Sequence, residues 1–185
     1  MPKKSDKKVR LLAAARELFH CQGFANTTLS DISKMSGVPL GNVYYYFKTK
    51  QELVLTIIEQ KVAEYEIHFE QWEKEAPRSR LKYYIEQYEQ ISDLIKVYGC
   101  PDGCLSLELN KENPELSAQA NILLSQQLTW VTTQFSKLGR PDARTLALHL
   151  MTSLQGSSLL ASVLHDKAIL TDEIVRLKGL VGKIK

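Results

Sequence analysis

The sequence predicts an all-α protein, and three observations support that prediction. Apolar residues recur at helical spacing along most of the chain, and the spacing is interrupted mainly at glycine and proline. No run of alternating apolar and polar residues bounded by turn residues indicates a strand. The 185 residues, 44% hydrophobic and 24% charged, have a globular composition and suffice for a small head on a larger body.

Three helices are predicted in the first 50 residues. The first has an apolar stripe and ends at Gly23, because glycine adopts the left-handed conformation at little cost. Thr28 is the predicted N-cap of the second helix, Asp31 completes a shortened capping box, and Gly37 ends that helix. Pro39 opens the third, where its missing N–H costs nothing. Two short helices around a glycine-bearing turn are typical of a helix-turn-helix.

The rest of the chain is also predicted to be helical. A long helix starts near Lys50 and stops by Ala76, because Pro77 disfavours helical geometry in its predecessor. Further helices are predicted over residues 78–97, around 105–109, from 114 to 139, from 141 to about 164 and over about 171–181.

Charge is distributed unevenly along the chain. Residues 1–50 carry nine basic and three acidic side chains, a net charge of +6, whereas residues 51–185 hold fifteen basic and eighteen acidic ones, a net charge of −3. A basic head on a mildly acidic body suggests a polyanion partner at one end, although a Lys-rich terminus that is merely soluble fits the charge equally well. The basic tail is predicted to lie along phosphates or in a minor groove; it comprises Lys3, Lys4, Lys7, Lys8 and Arg10.

The three cysteines form no disulfide framework, no secretory signal precedes the first helix, and no apolar run approaches the roughly 20 residues that span a bilayer. We therefore expect a cytoplasmic protein with reduced thiols and no membrane partner. The four histidines show no metal-ligand spacing, so neither a metal nor another cofactor is expected.

The head carries a characteristic series of residues: Gly23-Phe24, Thr28, Ile32, Gly37-Val38 and the run from Gly41 to Leu53. In order and spacing this series, within about residues 9–55, resembles the N-terminal domain of the TetR family of bacterial repressors. The resemblance implies an all-α homodimer with about nine helices per subunit, in agreement with the helix count along the chain. It implies a three-helix head with the helix-turn-helix at residues 5–50, packed on the start of the helix near 50–76. A helical-bundle body for ligand binding and dimerisation would occupy residues 51–185.

The resemblance also implies which residues meet DNA. Thr28, at a helix N-terminus, and Lys50 match positions of phosphate contacts, and Lys48 would add a second cation. The third helix would enter the major groove, where Asn42 suits a base hydrogen bond and Gly41 allows close approach. Leu40 departs from the Lys or Arg of many relatives and favours a thymine methyl group. The predicted set is Thr28, Pro39, Leu40, Gly41, Asn42, Tyr44, Tyr45, Tyr46, Lys48 and Lys50, with Phe47 assigned to the core.

The body is predicted to bind a small-molecule effector and a second copy of the chain. Candidates for a mixed aromatic and polar pocket, each of which also fits core packing, are Tyr84, Tyr88, Tyr98, Cys100, Trp130, Gln134 and His149. Small side chains among leucines in the last two helices suggest close helix packing, in the core or, as the resemblance implies, at a two-fold dimer interface. The interface candidates are Gly156, Ser157, Leu160, Ala161, Leu164, Ile174 and Leu177.

Cys100 has a second interpretation. A helix that begins at Pro101 would place Cys100 at its N-cap, where the helix dipole lowers the pKa of a thiol. Some members of the family with a Gly-Cys at this place respond to electrophiles or oxidants. Asp102 opposes thiolate formation, and two small buried thiols, Cys100 and Cys104, are the simpler interpretation.

The sequence therefore predicts a sequence-specific transcriptional regulator: a repressor that a small molecule releases from a palindromic double-stranded DNA operator. A thiol-based regulator acting through Cys100 is the alternative. An enzyme is disfavoured, because no catalytic motif is present and no histidine is partnered with Cys100. A non-specific architectural DNA protein fits poorly with the mildly acidic body.

Overall fold

The structure is a computed structural model that describes residues 4–184. Within that range it contains ten α-helices, one 3-10 turn and no strand, which confirms the predicted all-α class. The helices are α1 (Lys4–Gln22), α2 (Leu29–Ser36), α3 (Leu40–Tyr46), α4 (Lys50–Trp72), α5 (Pro77–Gln90), α6 (Ser92–Tyr98), α7 (Pro101–Glu112), α8 (Ser117–Lys137), α9 (Ala143–Val163) and α10 (Lys167–Lys183), and the 3-10 turn (Pro114–Leu116) leads directly into α8. None of these helices is both long and apolar enough to cross a bilayer.

The chain forms two compact units. The first comprises the described residues up to Ala63 together with Cys104–Leu123, and the second comprises Glu64–Gly103 and the chain from Leu124 onward. The helices α4, α7 and α8 therefore each contribute residues to both units. The two units are defined by how the helices pack. The predicted boundary at residue 50, between a DNA-binding domain and a ligand-binding domain, remains a prediction.

The first unit gathers α1, α2 and α3 around a shared core. Helices as short as α2 and α3 are marginal alone, so apolar contacts such as those of the fully buried Ile32 and Val43 stabilise them. Gly23 ends α1 with a φ of 87°. Phe24 then folds back on Phe19, with 5.3 Å between the ring centroids, as the sequence predicts.

The second unit is a helical bundle in which α10 packs on α9 and α5. The helix predicted over residues 78–97 is in fact two helices divided at Ile91. The hydroxyl of Ser92 donates to the carbonyl of Glu89 at 2.7 Å, and it thus occupies an acceptor at the end of α5. The last helix begins about four residues earlier than predicted, because the carboxylate of Asp166 accepts a backbone N–H of its first turn.

Candidate functional site

The N-terminus of α2 is closed by the predicted capping box. The backbone N–H of Asp31 donates to the hydroxyl of Thr28 at 3.1 Å, and the N–H of Thr28 donates to the Asp31 carboxylate at 3.0 Å. The hydrogen bonds from Thr28 hold the pKa of Asp31 below its ordinary value. Thr28 is exposed, so its position at a helix N-terminus is open to an anion.

One face of α3 is anchored in the core and the other is turned outward. Val43 and Phe47 are buried, the latter as predicted. Leu40, Tyr44 and Tyr45 are 39%, 49% and 59% exposed, although all three are large and carry apolar surface. Such side chains concentrated on one short helix indicate a contact surface.

The remaining predicted residues of α3 lie around this outer face. Pro39 is exposed and is the N-cap of α3, not its first residue as predicted; it has a φ of −53° and a ψ of 140°. Asn42 and Tyr46 are half-buried, and the ring of Tyr46 meets that of Tyr45 edge-on at 5.2 Å. Gly41 is exposed, and a Cβ built there would meet no atom of residues 4–184 within 4 Å beyond the adjacent backbone of α3. The surface around Gly41 is therefore open enough for another backbone to approach.

Both predicted phosphate-binding lysines make contacts within the first unit. The ammonium of Lys48 donates to the carbonyl of Tyr44 at 2.9 Å. The ammonium of Lys50 donates to the carbonyls of Phe24 and Ala25 and lies 4.3 Å from the centre of the Phe24 ring. Burial lowers the pKa of Lys50, while Glu108 and a second acidic residue of α7 oppose that shift.

The predicted basic arm is helical where the structure describes it, because α1 already begins at Lys4. Lys3 lies outside the described residues. The guanidinium of Arg10 donates to the carbonyl of Ser36, and the ammonium of Lys8 lies 5.7 Å from the centre of the Phe47 ring. These two side chains therefore contact the head itself, so the part of the tail from Lys4 to Arg10 is not an extended arm.

A chain of buried polar groups runs through the second unit. The hydroxyl of Tyr65 and the side-chain N–H of Gln127 both donate to the Asp102 carboxylate, the latter at 3.2 Å. The hydroxyl of Tyr84 donates to the oxygen of Gln127 at 2.9 Å, and Tyr88 is hydrogen-bonded to Tyr84. Burial raises the pKa of all three tyrosines well above 10, so each hydroxyl keeps its proton.

Cys100 lies beside this network and is buried. The side-chain N–H of Gln155 donates to its sulfur at 3.4 Å and to the hydroxyl of Tyr88 at 3.1 Å. Although α7 begins directly after Cys100, burial, with a further contribution from Asp102, raises the pKa of the thiol to about 11. The prediction of a lowered pKa at this helix end is wrong, because burial and the neighbouring carboxylate outweigh the hydrogen bonds that stabilise a thiolate.

Stacked aromatic rings adjoin the polar chain. The rings of Phe69 and Trp130 are 4.3 Å apart and nearly parallel, and Trp72 and Tyr84 lie within about 6 Å of Trp130. The indole nitrogen of Trp130 is buried and has no hydrogen-bond partner among residues 4–184. A buried N–H in that state can donate a hydrogen bond to an oxygen or nitrogen atom of a ligand.

The structure thus brings five of the seven predicted pocket residues into the interior of the second unit and leaves two outside it. Gln134 is fully buried, but its oxygen accepts from Arg80 at 3.1 Å, which gives it a structural contact. Tyr98 is exposed at the end of α6, and His149 is exposed on α9. His149 lies near Glu173 of α10. The pKa of Glu173 is lowered chiefly by its hydrogen bond to Arg176 and to a smaller extent by the charge interaction with His149.

Sequence reasoning missed several members of the interior cluster: Tyr65, Phe69, Trp72, Asp102, Gln127 and Gln155. Asp102 was noted only for its effect on Cys100. Gln127 is one helical turn from Leu123 and from Val131, which are both fully buried. A glutamine in line with apolar residues on one helix face could therefore have identified it as a buried polar residue.

The predicted dimer residues divide into two groups. Gly156, Leu160 and Leu164 are exposed on or next to α9. The other four, Ser157, Ala161, Ile174 and Leu177, are buried inside the single chain. Helical spacing identified an apolar face here but not the direction in which it points, because α9 and α10 bury one face of each against the other, and α10 also packs on α5 while α9 packs on α6. Within residues 4–184 no group of three or more histidine, cysteine, aspartate or glutamate side chains could hold a metal ion.

Comparison with known proteins agrees with this arrangement. Residues 11–57 match the sequence model of the family described as bacterial regulatory proteins, tetR family. An uncharacterized HTH-type transcriptional regulator in the lacX 3' region of Lactococcus lactis subsp. lactis is 27% identical over 188 residues, 96% of this chain and 94% of that protein. The HTH-type transcriptional repressor NemR of Escherichia coli (strain K12) is 27% identical over 112 residues, 60% of this chain and 56% of that protein.

Among solved structures, a TetR transcriptional regulator from Legionella pneumophila has the same fold, with a TM-score of 0.85 at 15% identity over 100% of this chain and 99% of that chain. The matched segment, residues 11–57, contains the capping box of α2, the outer face of α3 and the start of α4. Residues 11–57 therefore resemble the DNA-binding head of the TetR family, and the chain is similar over nearly its whole length to an HTH-type transcriptional regulator. These similarities indicate a DNA-binding transcriptional regulator and not an enzyme.

Proposed function

We propose that this regulator is a repressor that binds a palindromic double-stranded DNA operator as a cytoplasmic homodimer and that a small molecule releases it. The observation that carries the proposal is the outer face of α3, where Leu40, Tyr44 and Tyr45 are exposed around the open backbone of Gly41. A helix with this face fits the major groove, where Asn42 can read a base edge and Leu40 can contact a thymine methyl group. Repression is favoured because the similar protein from Escherichia coli is named a transcriptional repressor.

The dimer is proposed to form through the outer faces of α9 and α10. A concentration of exposed apolar side chains on adjacent helices is typical of an interaction surface. Seven large ones are exposed here: Leu148, Leu159, Leu160, Val163, Leu164, Val175 and Leu180. Gly156 and Gly179 are exposed on the same helices and would let two helix pairs approach closely. A two-fold axis there would offer two heads to half-sites about 34–36 Å apart.

The effector is proposed to bind in the interior of the second unit, beside Trp130. The stacked rings of Phe69 and Trp130 suit a planar aromatic ligand, and the buried indole N–H suits an acceptor on that ligand. The tyrosine and glutamine chain next to them offers further hydrogen-bonding groups. A ligand can release DNA only through its differential affinity for the two conformations of the protein.

Regulation through Cys100 has less support. The thiol is buried, and its pKa of about 11 leaves little thiolate at neutral pH, whereas a sensing cysteine needs both access and thiolate character.

The DNA-binding proposal is tested by selecting sequences from a random duplex library at fixed salt and measuring stoichiometry on the enriched site. We expect a palindrome bound by one dimer, with affinity reduced at least tenfold by Asn42→Ala and less than twofold by Glu70→Ala on an exposed part of α4. Uniform weak binding that disappears with salt would contradict sequence-specific regulation.

The dimer proposal is tested by sedimentation of Val163→Asp, which places a charge in the proposed interface. We expect this variant to be monomeric at concentrations where the parent chain is dimeric. Leu107→Asp is the matched control, because Leu107 is similarly exposed, at 57% against 64% for Val163, but lies on α7. Equal dissociation of both variants would contradict the interface.

A further inference from the structure

The acidic residue Glu108 of α7 holds the backbone that follows α1. Its two carboxylate oxygens each accept one N–H, from Phe24 at 2.8 Å and from Ala25 at 2.7 Å, although more than 80 residues separate the partners in sequence. Paired hydrogen bonds to a charged acceptor are stronger than neutral ones and fix orientation. Gly23 is part of the same arrangement, because a Cβ there would lie only 3.0 Å from a carboxylate oxygen.

The opposite edge of the same two residues is held by Lys50. Its ammonium donates to the carbonyls of Phe24 and Ala25, and Glu108 helps to keep that ammonium charged against the effect of burial. The carboxylate of Glu108 therefore accepts from the N–H groups of Phe24 and Ala25, and the ammonium of Lys50 donates to their carbonyls. All of these residues belong to the first unit.

The segment that is held in this way leads directly into the capping box of α2. Thr27 is buried, and its hydroxyl donates to the carbonyl of Gly23 at 2.7 Å, which continues the ordered backbone. Thr28, the next residue, is the N-cap of α2 and matches a position of phosphate contacts in the family that the head resembles. A displacement of Phe24 and Ala25 would therefore move both Thr28 and the ammonium of Lys50.

We propose that Glu108 is a positioning residue of the DNA-binding head: it fixes the segment from Phe24 to Thr28, and with it Lys50, in the geometry that meets the phosphates. The inference rests on the proposed operator binding. It assigns to a residue outside the head, more than 50 positions beyond its predicted end, a part in DNA affinity that no helix-turn-helix motif contains.

The experiment compares Glu108→Ala, Glu108→Gln and Glu112→Gln in the full chain. Glu112 is the matched control, because it lies one helical turn away and also acts electrostatically on Lys50, yet it is exposed and is not one of the two acceptors. Affinity is measured for the duplex that the parent chain selects from the library. Hydrogen exchange of the Phe24 and Ala25 amides is measured by NMR without DNA.

We expect Glu108→Ala to lower duplex affinity at least tenfold and to speed exchange of both amides at least tenfold, while the amide of Asp31 and the urea midpoint of the second unit change little. Glu108→Gln should be intermediate, because an amide oxygen can accept from one N–H while its NH2 group faces the other donor. Glu112→Gln should stay within twofold of the parent chain in both measurements.

Duplex affinity within twofold of the parent chain for Glu108→Ala overturns the inference, as does unchanged exchange of both amides. Equal loss with Glu112→Gln also overturns it, since charge alone would then be responsible. If the parent chain selects no sequence, the proposed regulator function fails separately, and the exchange rates still decide whether Glu108 holds the segment.

Discussion

The guanidinium of Arg80 donates a hydrogen bond of 3.1 Å to the side-chain oxygen of Gln134, and both side chains are buried. The same guanidinium donates to the backbone carbonyls of Trp72, Glu73 and Glu75, at 2.6 to 3.0 Å. Arg80 thus satisfies the carbonyls at the end of α4 and ties them to α5 and α8.

Replacing Arg80 with methionine should lower the free energy of unfolding by about 3 kcal/mol, because the buried Gln134 oxygen and several carbonyls lose their donor. Trp72 and Trp130, the two tryptophans of the chain, both lie in the second unit, so tryptophan fluorescence in urea at fixed protein concentration measures this loss. Arg176→Met is the control. Its ion pair with Glu173 joins an arginine side chain that is 48% exposed, and such pairs contribute about 0–1 kcal/mol. Similar effects of the two variants would contradict the role of Arg80.

Gly41→Ala should separate stability from DNA affinity. Apart from the adjacent backbone of α3, no atom of residues 4–184 lies within 4 Å of the added Cβ, so the variant should fold as well as the parent chain, or gain up to about 1 kcal/mol from helix propensity. If the backbone of α3 closely approaches DNA, affinity for the selected duplex should fall at least tenfold.

Gly37→Ala is the matched comparison for that variant. Gly37 has a φ of 64°, and a Cβ there would lie 2.8 Å from the guanidinium of Arg10, so we expect destabilisation of about 1–2 kcal/mol. A Gly41→Ala variant that binds DNA normally would show that the groove does not come close to that position.

Thr28→Ala should cost about 1 kcal/mol of stability through the lost N-cap. It should also raise the pKa of Asp31 toward its ordinary value, because the hydrogen bonds from Thr28 are what lower it. The stabilisation that this lowered pKa represents is present above the pKa of the unfolded chain and is lost as the pH falls through the folded value. Titration of the Asp31 carboxyl by NMR measures the shift, and Thr28→Ser, which keeps the hydroxyl, should leave it in place.

Cys100 should react slowly with iodoacetamide, and its rate should rise nearly tenfold per pH unit up to about pH 11, because the thiolate is the nucleophile and the pKa is about 11. At pH 8 only about one Cys100 thiol in a thousand is ionised. Peptide mass spectrometry compares it with Cys21, which is exposed. Rapid labelling of Cys100 at pH 7, accompanied by loss of duplex binding, would restore the thiol-sensor alternative.

Local signals in the sequence predicted the head with little error. The end of α1, both ends of α2 and, to within one residue, the start of α3 lie where glycine, threonine and proline place them, because caps and turns depend on a few adjacent residues. The assignment of Phe47 to the core is also confirmed. The break at Ile91 was missed, since the hydroxyl of Ser92 can bond to a carbonyl without leaving an apolar signature.

At the candidate sites too, the sequence predicted local features but not which side chains the fold buries. Periodicity marked α9 and α10 as apolar but could not say that Ser157 and Ile174 face the core while Leu160 and Val163 face outward. Gln134 and Trp130 both carry a polar group at the end of the side chain, so the sequence does not distinguish them. In the structure Gln134 accepts a hydrogen bond from the buried Arg80, whereas the N–H of Trp130 has no partner among residues 4–184.

The sequence by itself determined the helical class, the capped helix-turn-helix and the resemblance of the head to the TetR family, because these depend on short-range periodicity and on caps within a few residues. Only the tertiary structure decided which residues meet across long separations: Glu108 with the backbone of Phe24, and Asp102 with Tyr65 and Gln127. Hydrogen bonds and burial depend on which helix faces pack together, and a local sequence pattern does not show which faces those are.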